Sequence, residues 1–203
     1  MKHQAIFIAA IFFIVTSLVS CQSGKNRCKG VFKDMEGVFA ELQDVEKNLD
    51  KKIAEMQAGA EVKNCRDSAG LASIETKLAK IRKELDKLKP TDMPMSTSTI
   101  QTGLDPATQQ PLLESNTTVD WGKVTGDDQI IWANLHMAHT GLAAALKTAE
   151  VACQCIESGD KNGLYCNVIS IQMPDGKLNF DMESVNKAYF APIRDIMAGK
   201  KGK

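Results

Sequence analysis

The sequence predicts a mainly α protein in which an N-terminal antiparallel helical hairpin is followed by a helix, a small β-hairpin and a C-terminal helix. Two apolar series carry most of that expectation. Phe32, Met35, Phe39, Leu42, Val45, Leu49, Ile53 and Met56 recur at steps of three and four, the period of one helix face. Leu71, Ile74, Leu78, Ile81, Leu85 and Leu88 repeat in the same way without a slip, with Lys, Arg and Glu at the outer positions. Composition adds a third observation. Aromatic residues make up only 5% of the chain, and many apolar positions are Leu, Ile, Ala, Val and Met, which suits packed helices better than a large sheet.

Residues 1–20 read as a signal peptide: Lys2 and His3 give a basic start, a largely apolar run extends from Ala5 to Val19, and small residues precede a cut site. The run is shorter than the ~20 residues that a spanning helix needs, so export is expected rather than permanent insertion. Leu18-Val19-Ser20-Cys21, where the run stops, resembles the lipobox of bacterial lipoproteins. The resemblance covers about a tenth of the chain and names no family for the remainder. It implies cleavage before Cys21, a diacylglyceryl group on the Cys21 sulfur, and a mature protein anchored to the membrane through that lipid. Under the enterobacterial sorting scheme, Gln22 in place of Asp implies the outer membrane. The alternative is a secreted protein cut near the same place that keeps Cys21 for a disulfide.

Residues 21–89 are expected to hold the lipid attachment and the helical hairpin. Gly59, Asn64, Asp67, Ser68 and Gly70 lie between the two stripes, where the apolar phase also slips, so a helix break falls within 57–70. Stripes joined this closely fold back on each other; one long interrupted helix paired with another chain is the alternative. Residues 90–126 read as a Pro/Thr-rich acidic linker or loop. From 90 to 122 there is no Lys or Arg, and Pro90, Pro94, Pro106 and Pro111 stand among Thr, Ser and Gln. Asn116-Thr117-Thr118 matches a glycosylation acceptor there, a pattern common by chance.

Residues 127–203 form the expected helix, β-hairpin and helix unit. Asp127 and Asp128 suit a helix N-terminus, Ile131, Leu135, Ala138, Leu142, Ala149, Cys153 and Ile156 share a face, and Gly159 is a stop. Leu164 to Met173 reads as a strand, Pro174-Asp175-Gly176 as a turn, and Lys177 to Phe180 as a short return strand. A last helix starts near Asp181, is interrupted or restarted at Pro192, and ends in a solvated basic tail.

Six cysteines stand at 21, 28, 65, 153, 155 and 166, and an exported chain meets an oxidising compartment. With lipid on Cys21, the candidates Cys28, Cys65, Cys153, Cys155 and Cys166 allow two disulfides with one thiol left over. Cys166 is expected to bond either Cys153 or Cys155, while the other of those two reaches the N-terminal region. Two residues apart on a helix is a rotation of about 200°, so Cys153 should face the core and Cys155 nearly the opposite side. Cys28 is not expected to pair with Cys65, because the first helix separates them; its place is near residues 85–89, where the C-terminal unit could dock.

His136 and His139, spaced i, i+3, are the two histidines of the mature chain and could bind zinc or copper with further ligands. The helix phase instead puts His139 at the edge of the apolar stripe beside Trp132 and His136 further toward solvent, and no second ligand pair has suitable spacing. No metal or cofactor is expected. Catalytic residues are not assigned either, since nucleophile, zinc-protease, phosphate-loop and dinucleotide motifs are missing. Removal of 1–20 leaves 24 basic against 25 acidic side chains, which gives no overall attraction to nucleic acid. The expected function is that of an envelope lipoprotein acting as a binding or scaffolding protein. Its partners would be the membrane, through the N-terminal lipid, and another envelope protein met by the helical hairpin or its tip. The alternative is a secreted, disulfide-stabilised protein with a small-ligand, metal or redox role.

Overall fold

The first apolar stripe lies on α1 (Lys2–Gln57) and the second on α3 (Leu71–Leu88). The computed structural model describes residues 2–104, 111–170, 173 and 177–200, excepting the side chains of 2–27, 100–104, 111–114 and 116. Each expected position of the first stripe is buried apart from half-buried Phe39, and Val31 and Val38 join them. On α3, Leu71, Ile74, Leu78, Ile81 and Leu85 are buried, with Leu88 half-buried against them. The break between the helices uses three positions of positive φ, Gly59, Asn64 and Gly70, around the one-turn helix α2 (Cys65–Ser68). At Gly70, φ 66° is a left-handed conformation that costs glycine little. α1 and α3 run antiparallel: Lys77 pairs with Glu41, Ile74 lies near Val45, and Lys80 and Ile81 lie near Gly37 and Val38. The expected helical hairpin therefore forms within one chain.

α4 (Asp127–Ser158) packs against both arms of that hairpin. It runs antiparallel to α3, since Trp132 meets Leu85, His139 meets Leu78 and Cys153 meets Cys65. All seven expected apolar positions are buried, and Trp132, Ala133, Ala145, Leu146, Ala152 and Cys155 are buried with them. A helix covered on several sides buries more than one stripe. Gly159, at φ 64°, closes its C-terminus by donating its N–H to the Ile156 carbonyl. Within the helix, a Cβ on Gly141 would lie 2.8 Å from Val185 Cγ2, so glycine is what lets the C-terminal segment approach so closely.

The strand expected from Leu164 is corrected: α5 (Leu164–Ser170) is a helix. Val168, Ile169 and Tyr165 favour a strand by propensity, but Cys166 and Ile169, three apart, are the buried pair and face α4 on one helical side. Tertiary packing overrides the local preference. The expected turn at Pro174-Asp175-Gly176 lies outside the described residues. The return strand at 177–180 is absent as well, for a legible reason. The N–H groups of Leu178 and Phe180 donate to the carboxylates of Asp50 and Glu46, one turn apart on α1, in place of a partner strand. Burial raises the Glu46 pKa above its ordinary value, against the Phe180 N–H that favours the charged form. The C-terminal helix is present in three pieces: α6 (Met182–Val185), a π-helical turn (Asn186–Phe190) and α7 (Ala191–Met197), with Pro192 in the first turn of the last. Proline lacks the N–H that a regular α-helical ladder needs, which accounts for the expected interruption at this residue.

The small sheet lies earlier in the chain than expected. β1 (Met95–Leu104) and β2 (Pro111–Val119) form an antiparallel pair inside the segment anticipated as a linker or loop. Pro94 precedes the first strand and Pro111 starts the second, places where a missing donor does little harm. Threonine fills much of the interior, and Thr97 and Thr117 bond across the ladder at 3.1 Å between hydroxyls. The register shifts between Gln101 and Gly103. Asn116 falls within β2.

Candidate functional site

Two disulfides form among the described residues, Cys65–Cys153 and Cys155–Cys166. The second realises one of the two expected partners of Cys166, and the first carries α4 back to the helical hairpin. Both sulfurs of the Cys-Gln-Cys pair are buried. Cys155 does point away from Cys153, as a two-residue step requires, but α5 covers that side. Polar contacts reinforce the α2 joint: the Cys65 N–H donates to the Glu157 carboxylate, and Arg66 pairs with Glu150 at 3.0 Å and Glu75 at 3.1 Å. Cys28 belongs to neither bridge. It is half-buried and lines a cavity of ≈ 80 Å³ with Asp128, Ile131, Ile196 and Met197, so the C-terminal unit does dock beside it. Cys21 lies on α1, and its side chain is outside the described residues.

His136 belongs to a stacked aromatic series, and His139, one turn on along α4, lies beside α3. His136 stacks on Trp132 with ring centroids 5.2 Å apart and on Trp121 at 6.2 Å. Trp121 stands in a single 3₁₀ turn, Trp121–Lys123, just after β2. The Trp132 indole N–H donates to the Leu85 carbonyl at 2.9 Å, one of the last four of α3 that lack a partner in their own helix. His136 Nδ1 lies 3.3 Å from an Arg82 guanidinium nitrogen, which can only donate, so this ring is a neutral acceptor. His139 Nε2 lies 3.0 Å from the Leu78 carbonyl and donates to it. These contacts join α3 to α4 rather than gather metal ligands. Among the described residues no group of three His, Cys, Asp or Glu side chains is placed to hold a metal ion.

Both imidazoles titrate below their ordinary pKa. For His136 burial is the main cause, helped by Arg82, His139 and Lys89 and opposed by Asp86. For His139 burial again leads and Arg82 adds to it, while the Leu78 carbonyl and Asp86 oppose. The unfolded chain therefore binds these protons more tightly than the native one. The stability they confer is complete above the unfolded pKa of about 6.5 and declines as the pH falls below it. Urea midpoints should drop between pH 7.5 and 5.5, and by less in a His136→Gln/His139→Gln variant. An identical pH dependence in parent and variant would remove the histidines from the explanation.

Two surfaces remain open to solvent. An apolar groove of ≈ 370 Å³ is lined by Trp121, Val124, Ile130, Met137 and Tyr189, and Trp121 is 45% exposed. At the other end of the bundle, Leu164 (74% exposed), Tyr165 and Val168 share the outer face of α5. Neither surface is announced by periodicity. Trp121 is the single aromatic between Phe39 and Trp132, a signal hidden within a segment whose composition suggested a linker. Among the described residues no helix is long and apolar enough to cross a membrane.

Fold and site together define a disulfide-braced helical bundle with a projecting β-hairpin. No family model matches the chain, and no solved structure matches it. Over 90 residues it is 27% identical to the diaminopimelate epimerase of Halothermothrix orenii, a stretch that makes up 44% of this chain. The chain spans about a third of that protein's length, the aligned stretch covering 31% of it.

Proposed function

We propose that this protein is an exported envelope lipoprotein, held to the membrane by lipid on Cys21 and acting by binding or scaffolding. The observation that carries the reading is the apolar run from Ala5 that ends in Leu18-Val19-Ser20-Cys21. The paired cysteines support it, because disulfides persist in oxidising compartments. Val31 is the first buried residue described, ten positions after Cys21, so the folded body would stand directly on the bilayer. From Cys28 to Gln57, α1 rises about 45 Å at ~1.5 Å per residue. The exposed Leu164, Tyr165 and Val168 lie toward its far end and offer an apolar face to another envelope protein.

Intact mass of the native protein and fractionation of a Cys21→Ser variant test this reading. The native chain should begin at Cys21, carry lipid and sediment with membranes, and the variant should move to the soluble fraction. A native protein with unmodified Cys21, or one cut at another position, would sink the proposal.

A further inference from the structure

The first charged residues after Cys21 are all basic: Lys25, Arg27, Lys29 and Lys33 precede Asp34, the first acid of the chain. The antiparallel hairpin sets the C-terminal half of α3 beside the end of this stretch, since Lys80 and Ile81 line one groove with Lys33, Asp34 and Gly37. That half of α3 and its cap bring Lys80, Lys83, Lys87 and Lys89 to the same end of the bundle. Acids there are mostly engaged: Glu36 pairs with Arg194, Glu84 with Lys87 and Asp86 with Arg82. Lys29, Lys33, Lys80 and Lys83 are exposed and make no ion pair among the described residues. The other side of this end has the opposite sign, with Asp92, Asp127 and Asp128 around the N-terminus of α4.

We infer that the α1–α3 flank beside the N-terminal anchor is a docking surface for anionic phospholipid headgroups, so that the bundle leans this flank onto the bilayer and turns the α4 N-terminus away. The inference rests on the lipid-anchored reading only for proximity, since the charge distribution stands without it. A lipid chain next to a basic patch is the two-signal combination that makes membrane attachment stable, and each lysine near an anionic surface adds a favourable contact that salt weakens.

Lysine footprinting of the native protein tests it, in nanodiscs of phosphatidylcholine alone and of phosphatidylcholine mixed with phosphatidylglycerol. With limiting acetylating reagent, Lys29, Lys33, Lys80 and Lys83 should label about fivefold more slowly on the anionic discs, and high salt should abolish the difference. Lys47, Lys51, Lys52 and Lys161, toward the other end, serve as internal controls and should label alike on both. A Lys29→Glu/Lys33→Glu/Lys80→Glu/Lys83→Glu variant changes only exposed positions and should lose the protection at Lys87 and Lys89 while keeping its helical spectrum. Equal labelling on the two lipid mixtures would overturn the inference. Intact mass of the same preparation separates the two proposals. Lipidated protein indifferent to lipid charge keeps the anchor and loses the surface. Unlipidated protein that still sediments with anionic vesicles, in a salt-sensitive way, keeps the surface and loses the anchor.

Discussion

Replacing Cys65 and Cys153 together with alanine should lower the stability of the oxidised protein by about 4 kcal/mol, the larger of the two bridge effects. The bridge joins residues 88 apart, whereas Cys155 and Cys166 are 11 apart. Closing a loop of the first size removes more freedom from the unfolded chain, and the shorter loop should be worth about 3 kcal/mol. Alanine is the appropriate replacement because Cys65 and Cys153 are both buried, where a hydroxyl would add a desolvation cost of its own. Both partners are replaced because a single variant would leave a free thiol able to enter disulfide exchange. At ~2–4 °C per kcal/mol for a domain of this size, thermal denaturation should show a fall of about 10 °C for the Cys65/Cys153 double variant. A midpoint equal to that of the parent under non-reducing conditions would mean that this bridge does not constrain the folded chain.

Truncation of Phe190 to alanine should cost a similar amount, about 3–5 kcal/mol. This ring is 1% exposed and lies between Phe32, at 5.7 Å, and Phe39, at 5.3 Å and edge-on. It ties the C-terminal segment to α1 through both rings, so its loss adds a cavity and two lost ring contacts to the lost burial. The nearby Arg194–Glu36 ion pair joins the same elements at 3.0 Å, yet both side chains are well exposed, and Arg194→Ala should change stability by less than about 1 kcal/mol. Denaturant midpoints of the two variants give the comparison, and proteolysis between 182 and 200 should accelerate in the first alone. Equal midpoints would show that the C-terminal segment is held by its polar contacts.

The helices were legible because their packing partners are also helices. A period of three and four residues at 32–56 and 71–88 survives into the burial pattern, and Gly59, Gly70 and Gly159 mark turns that need positive φ. Residues 164–170 and 177–180 depart from the expected strands for the complementary reason. Their strand-like composition is real, but Cys166 is fastened to α4 and the N–H groups of Leu178 and Phe180 find carboxylates on α1, contacts more than a hundred residues away in the latter case. Local sequence carries no trace of those partners. The strands at 95–119 were hidden by four prolines and the lack of Lys and Arg, features that describe linkers and exposed strands alike. Of the site, the Cys155–Cys166 bridge could be read as one of two alternatives. The Trp121–His136–Trp132 stack could not, because Trp121 arrives from a different part of the chain.

The order of the bridges along the chain bears on biogenesis. If translocation delivers the N-terminus first, Cys28 and Cys65 emerge well before Cys153, and the native partner of Cys65 appears only after 88 further residues. An oxidant that joins cysteines as they emerge would link Cys28 to Cys65, a bond absent from the native connectivity. The helical hairpin itself opposes that mistake: once α1 forms and α2 packs beside the turn around Asn48, about 30 Å of helix separates the two thiols, far beyond disulfide reach. Early helix formation would thus act as a pairing filter. A chain in which α1 is slow to form would depend on thiol–disulfide isomerisation to reach the same end state.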